Sequence, residues 1–220
     1  MQTKETYYTL ENIDQQAEKL LQKTKPYIKK NNVVFKSEKS ALLVLDMQKY
    51  FLDENSHAFI PSAKAITPRI KKLQNTYLKK GLPVVQTRHL NTKNNAKSMN
   101  RWWNDIITKD NPLSQITEEL LSKKIPVINK TQYDAFFKTD LNKRLKNNNV
   151  QQIVVTGVMT HLCCETTARS AFMRGFDVFF VVDGTATYNK TFHLSTLINL
   201  AHGFAIPITT KEVIQKTMEN

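Results

Sequence analysis

The chain has 220 residues, with 32 Lys+Arg against 19 Asp+Glu for a formal charge of +13, and is 40% hydrophobic and 23% charged. Such a composition belongs to a globular protein with one sizeable core, and it excludes a disordered chain, a collagen-like repeat and a membrane bundle. The longest apolar runs, such as Val178–Val182, fall far short of the roughly 20 residues a membrane helix needs. Met1–Glu11 is polar, so no secretory signal is expected. Cys163 and Cys164 are the only cysteines and are adjacent, which excludes a disulfide framework and makes a reducing cytoplasm the default compartment. The lysines are scattered rather than clustered with aromatics, so no specific nucleic-acid binding and no membrane partner are expected. The positive field suits the steering of a small anionic substrate.

Residues 8–30 read as a helix, with Leu10, Ile13, Ala17, Leu20 and Leu21 at helical spacing and Pro26 marking a bend or end. Residues 1–39 read as an N-terminal helical extension that wraps the domain and has no chemistry of its own; residues 40–220 form the domain. Ala41–Leu45 is an apolar run ending in Asp46, the pattern of a strand buried on both faces. Ser62–Lys79 reads as an amphipathic helix with Ile66, Ile70, Leu73, Tyr77 and Leu78 inward. Gly81 stops it, and Pro83–Thr87 is a second strand. Arg88 to about Pro112 is a long irregular region, and loops of that length are more often functional than decorative.

Ser114–Lys123 reads as a short helix and Pro126–Asn129 as a strand ending at Lys130; Thr139 caps a helix running to about Lys146. A strand over Gln152–Thr156 closed by Gly157, a helix over Thr166–Arg174 and a strand over Asp177–Val182 follow. A helix over 190–202 and a short strand near Ala205–Ile208 come next, and Thr209-Thr210-Lys211-Glu212 is a capping-box pattern opening a last helix. The alternation predicts an α/β fold with a mainly parallel six-stranded sheet covered by helices on both faces. Binding residues are then sought just beyond the carboxyl ends of the strands.

Three strand ends deliver Asp46, Lys130 and Cys163. Singly, these read as a turn residue, a solvated charge and a small buried hydrophobe. Together at one rim they make a nucleophile system, because the thiolate is the attacking species and needs a group to take its proton. Cys163 falls in what should be the first turn of a helix, where backbone N–H groups favour negative charge, and a nearby ammonium would lower its pKa further.

The run Thr156-Gly157-Val158-Met159-Thr160-His161-Leu162-Cys163-Cys164-Glu165-Thr166-Thr167-Ala168-Arg169-Ser170-Ala171-Phe172 closely resembles the isochorismatase-like family of cysteine hydrolases. Leu43-Val44-Leu45-Asp46-Met47-Gln48 is similar to that family's first motif, and Val127-Ile128-Asn129-Lys130-Thr131-Gln132-Tyr133-Asp134-Ala135-Phe136 to its second. The resemblance covers roughly residues 40–210 and implies a three-layer Rossmann-like fold. It implies Cys163 as nucleophile, Asp46 as general base and acid, and Lys130 as the group that holds Asp46 and stabilises the thiolate. It also implies a cis peptide between Val158 and Met159, an oxyanion hole from the backbone N–H groups of Met159 and Cys163, and a homo-oligomer, dimer or tetramer. The implied reaction is hydrolysis of an amide or carbamoyl C–N bond through a thioester.

Two subtypes of the family differ from this pattern. Its nicotinamidases carry an Asp-x-His metal site with a further His, whereas Thr87-Arg88-His89-Leu90-Asn91 stands here with no second His before position 161, so no metal is expected. Its true isochorismatases lack the nucleophilic Cys and cleave a vinyl ether; that chemistry, or a non-catalytic scaffold that only binds a metabolite, is the alternative. No Gly-x-Gly-x-x-Gly follows any strand, so no dinucleotide cofactor is expected. His89, Arg101, Trp102, Tyr133 and Phe136 are the candidate substrate contacts, Arg101 for a substrate carboxylate and the aromatics as pocket walls. Trp103 reads as core or subunit interface, His193 and His202 as structural, and Cys164 as packing.

Overall fold

The computed structural model describes residues 4–28, 33–103 and 105–219. Helix α1 (Ile13–Thr24) precedes strand β1 (Ser40–Leu45), the short helix α2 (Lys49–Leu52) and the long helix α3 (Ala63–Lys79). Strand β2 (Val84–His89), helix α4 (Ser98–Trp103), strand β3 (Val127–Lys130) and helix α5 (Leu141–Asn147) follow. Strand β4 (Gln152–Val158), helix α6 (Glu165–Met173), strand β5 (Asp177–Ala186), helix α7 (Lys190–Gly203), strand β6 (Ile206–Ile208) and helix α8 (Thr210–Glu219) complete the chain.

The six strands form one sheet in the order β3-β2-β1-β4-β5-β6, and every pairing is parallel. All of β1 and β4 is buried, in keeping with the apolar runs Ala41–Leu45 and Ile153–Val155 within them. The chain starts at the centre, runs outward through β2 to β3, then returns to β4 and runs outward the other way. With right-handed crossovers, the helix between β1 and β2 and those between β4, β5 and β6 fall on opposite faces. The order reverses between β1 and β4, and that switch point opens a crevice beyond their carboxyl ends.

Gly157 sets how closely those two strands meet. It pairs with Leu45, has φ +111°, and a Cβ there would lie 2.0 Å from the Leu45 carbonyl oxygen. Asp46, the next residue of the β1 chain, turns off the strand in the left-handed region at φ +50°, a conformation Asp tolerates better than most side chains.

Several elements differ from the pattern the sequence predicts. The helix expected over 8–30 starts only at Ile13, because Thr9 and Asn12 cap each other's backbone N–H groups and leave Leu10 66% exposed. It ends at Thr24, where Pro26 opens a single 3-10 turn; residues 29 and 30 lie outside the described residues. Tyr7, Tyr8, Ile13, Ala17 and Leu20 belong to the same core as the sheet, so the apolar face of α1 is used within its own chain. The helix expected over Ser114–Lys123 is two 3-10 turns, Pro112–Ser114 and Glu118–Leu120. Between them Ile116 bridges Gln48, and Thr117 N donates to Met47 O at 2.9 Å, so tertiary hydrogen bonds hold this stretch out of a helix. Strands β4 and β5 continue past their predicted ends at Thr156 and Val182, through a register shift at Val155/Gly157. Thr209 and Glu212 form the expected capping box, Glu212 N to Thr209 Oγ1 at 3.2 Å and Thr209 N to Glu212 Oε2 at 2.8 Å.

Replacing Gly157 by Ala forces β1 and β4 apart at the crevice. The change is expected to destabilise the protein by about 3 kcal/mol, the upper range for overpacking a core. Urea denaturation measures it, and an unchanged midpoint would contradict the close approach.

Candidate active site

Asp46 follows β1, His89 ends β2, Lys130 ends β3, and Cys163 follows β4. Lys130 and Asp46 are separated by the width of β2, two strand spacings or about 10 Å between backbones. Only a long side chain from β3 covers that gap. Lys130 does, and its Nζ lies 2.7 Å from Asp46 Oδ2 with neither side chain exposed. The same ammonium donates to Cys163 Sγ at 3.2 Å and to Gln132 O at 3.0 Å, and lies 3.4 Å from His89 Nδ1. The other carboxylate oxygen of Asp46 accepts from Thr87 Oγ1 at 2.6 Å.

His89 has its tautomer set by Asn91. The Asn91 amide nitrogen donates to Thr131 O and Asn95 Oδ1, which leaves its Oδ1 facing His89 Nε2 at 2.7 Å. Nε2 therefore carries the proton, and bare Nδ1 faces the ammonium. Burial, with Lys130 adding to it, pushes His89 down to about 4, so the ring is neutral. Gln48 closes the strand ends in place of a further strand: its side chain accepts from His89 N at 2.8 Å and donates to His89 O and Ser114 O.

Cys163 sits in a π-helical turn, Thr160–Cys164, immediately ahead of α6 and not in the first turn of that helix. The preceding Val158–Met159 peptide is cis. The sequence led to the expectation of a thiol made acidic by an ammonium and a helix start. In the structure burial pushes Cys163 up to about 12; Lys130 opposes the rise and Asp46 adds to it. For Asp46 burial also works upward, but Lys130 and then His89 outweigh it and hold the carboxyl below its usual value. Lys130 resists burial because Asp46 and Cys163 face it, and it stays an ammonium. The resting set is therefore carboxylate, ammonium and neutral thiol, with no net charge among these buried groups. A thiolate beside ionised Asp46 would leave one uncompensated buried charge.

The ligand atoms of Asp46, His89 and Cys163 lie within 4.8 Å of one another. The geometry does not suit a metal ion, because the Lys130 ammonium is already in hydrogen-bonding reach of all three. A dication added there would meet a buried positive charge.

Cys163 opens onto a cavity of about 190 Å³ lined also by His89, Met159, Trp103, Tyr133 and Tyr188. Of the substrate contacts expected from sequence, His89 and Tyr133 line it. Arg101 and Trp102 stand exposed on α4, Trp102 at 78%, and neither is a wall residue. Phe136 is buried in the core, stacked on Phe176 at 6.1 Å. Trp103, read as core or subunit interface, is not in the core: it lines the cavity, and its Nε1 donates to Tyr133 OH at 2.7 Å. At the mouth Tyr50 OH donates to Asp105 Oδ2 at 2.6 Å, and His57 Nε2 lies 3.2 Å from the same hydroxyl. No sequence signal pointed to Tyr50, His57, Asp105 or Tyr188; they meet only through loop packing. Gln48 did stand in a motif, two residues past a strand end. Cys164 is buried in the core and is not a wall residue.

Known proteins share the fold and part of the sequence of this chain. The family model described as Isochorismatase domain matches residues 40–212. The chain is 36% identical to Nicotinamidase 3 of Arabidopsis thaliana, over 84% of this chain and 91% of that one. It is 28% identical to Enterobactin synthase component B of Escherichia coli (strain K12), over 82% of this chain but only 64% of that protein's length. A solved cysteine hydrolase from Pseudomonas syringae pv. phaseolicola 1448A superposes with a TM-score of 0.80 at 24% identity, covering 87% of this chain and 99% of that one. With a family model spanning its whole sheet and a relative above 30% identity, this chain belongs to the isochorismatase-like hydrolase family.

Proposed function

We propose that the protein hydrolyses the C–N bond of a small carboxamide or carbamoyl compound through a thioester on Cys163. The observation that carries this reading is the single ammonium in contact with both Asp46 and Cys163. Cys163 Sγ attacks the carbonyl carbon as its proton passes to Asp46. The carbonyl oxygen becomes an oxyanion facing the N–H groups of Met159 and Cys163, each donor contributing on the order of 3 kcal/mol to the barrier. The C–N bond then breaks as Asp46 returns the proton to nitrogen, releasing ammonia or an amine. Water attacks the thioester, gives its proton to Asp46, and the acid leaves as the thiol is restored. Lys130 keeps Asp46 ionised in the resting site, ready to take the proton, and compensates charge as it moves to sulfur.

The cavity walls bear on the substrate. Among the described residues lining it, Asp105 carries the only carboxylate, and none is arginine or lysine. The overall charge of +13 points to an anionic substrate, but these walls favour a neutral one, flat enough to lie among Trp103, Tyr133 and Tyr188. Nicotinamide, named by the similarity to Nicotinamidase 3, is such a molecule.

Ammonia release from nicotinamide and a panel of primary amides tests the reaction. Cys163→Ala is expected to abolish turnover, and Asp46→Asn to lower kcat by about 10²–10⁴-fold, the range for losing an acid–base group. Full activity in Cys163→Ala would end the mechanism; turnover of a vinyl ether by that variant would put ether cleavage in its place. Within the panel, neutral amides are expected to exceed carboxylate-bearing ones of equal size by about tenfold in kcat/KM, and Asp105→Asn to narrow the gap, as removal of one unfavourable charge contact of about 1.4 kcal/mol requires. A preference for the anionic amides would contradict this reading of the walls.

A further inference from the structure

The turn Thr160–Cys164 is tied to two neighbouring elements by side-chain hydrogen bonds. Thr160 Oγ1 lies 3.1 Å from His193 Nδ1 on α7, and His161 Nδ1 lies 2.7 Å from Thr187 Oγ1 just after β5. Both anchors converge on one residue of the N-terminal segment. Tyr7 OH accepts from the Thr187 backbone N–H at 3.0 Å and lies 2.9 Å from His193 Nδ1. Because its oxygen accepts from Thr187, its proton is free to be donated to His193. Tyr7, Thr160, Thr187 and His193 are all buried, and burial holds His193 neutral with its pKa near 3.

The same segment also braces the cavity walls. Glu5 N donates to Tyr188 O at 2.7 Å, and Lys4 Nζ donates to His57 O at 2.5 Å. These residues precede the region matched by the family model, which begins at residue 40.

We propose that Tyr7 is a positioning residue of the active site: through Thr187 and His193 it fixes the turn that aims Cys163 and the N–H groups of Met159 and Cys163. The inference rests on the cysteine chemistry proposed above. Tyr7 then helps to position the site, and the segment that carries it is not only a wrapping. Removing the hydroxyl leaves a buried N–H without its acceptor and frees the turn to shift. Misplacement of reacting groups by about 1 Å can cost on the order of 10²-fold in rate.

Tyr7→Phe in the full chain is the test, since the ring keeps its contacts with Tyr8 and His193 at 4.6 and 5.4 Å. Tyr8→Phe is the control: it removes a buried hydroxyl that donates to Val182 O at 3.1 Å, with no bond to the turn. Tyr7→Phe is expected to lower kcat about 10–100-fold, the scale of such misplacement, with KM nearly unchanged. Tyr8→Phe is expected to keep kcat while losing comparable thermal stability. Hydrogen exchange over residues 160–164 gives a reading independent of turnover, and is expected to quicken in Tyr7→Phe alone. Equal exchange in the two variants, or equal losses of kcat, would overturn the proposal. Failure of the wild type to release ammonia from any amide would instead overturn the reaction assigned above, and leave the exchange result standing as the test of Tyr7.

Discussion

Lys130 and Asp46 lie 2.7 Å apart with no side-chain surface exposed, and the charge state of the whole site depends on that pair. A buried ion pair is a weak source of stability, because desolvation offsets much of its attraction. What it does here is fix charges. Asp46 stays ionised because the ammonium is beside it, and Lys130 stays protonated because the carboxylate is beside it. With those two charges balanced, the sulfur nearby has no uncompensated positive charge to stabilise it as a thiolate. The thiol proton is therefore retained in the resting site. Neutral His89 adds an acceptor beside the ammonium and no further charge.

The fold supplies this pair from strands that are not neighbours. Parallel strands place their carboxyl ends along one edge, so β1, β2, β3 and β4 each present one residue to the same rim. Lys130 crosses over β2 to reach Asp46, which is why the position suits lysine and not a shorter cation. Gly157 lets β1 and β4 meet without a Cβ between them, and Asp46 and the Cys163 turn emerge on either side of that contact. The remaining walls come from the connections, two of them braced by the N-terminal segment, so the sheet holds Asp46, Lys130 and the Cys163 turn while the connections shape what can enter.

The sheet and the convergence of Asp46 and Lys130 at its rim were legible in the sequence for the same reason. Strands buried on both faces are long apolar runs, and a polar residue that ends one, such as Asp46 or Lys130, stands out against it. The thiol was legible through the motif around it, but its protonation state was not. The sequence shows an ammonium and a helix start near Cys163, while the deciding factor is burial, which pushes the thiol up to about 12. Ser114–Lys123 read as a helix, but tertiary hydrogen bonds to Met47 and Gln48, which no local pattern shows, hold it otherwise. From their place in a long loop, Arg101 was expected to pair a substrate carboxylate and Trp102 to wall the pocket, yet in α4 it is the next residue, Trp103, that lines the cavity. Tyr7 was read as part of an inert extension because its partners Thr187 and His193 lie about 180 residues away in the chain.

The most direct test of the charge arrangement is the infrared S–H stretching band of wild type against Cys163→Ser at neutral pH. Cys164 is present in both and cancels. A neutral resting thiol predicts a band in the wild type that the variant lacks. Identical spectra would mean that Cys163 is already a thiolate at rest, and would contradict the account in which the buried Lys130–Asp46 pair keeps its proton on sulfur.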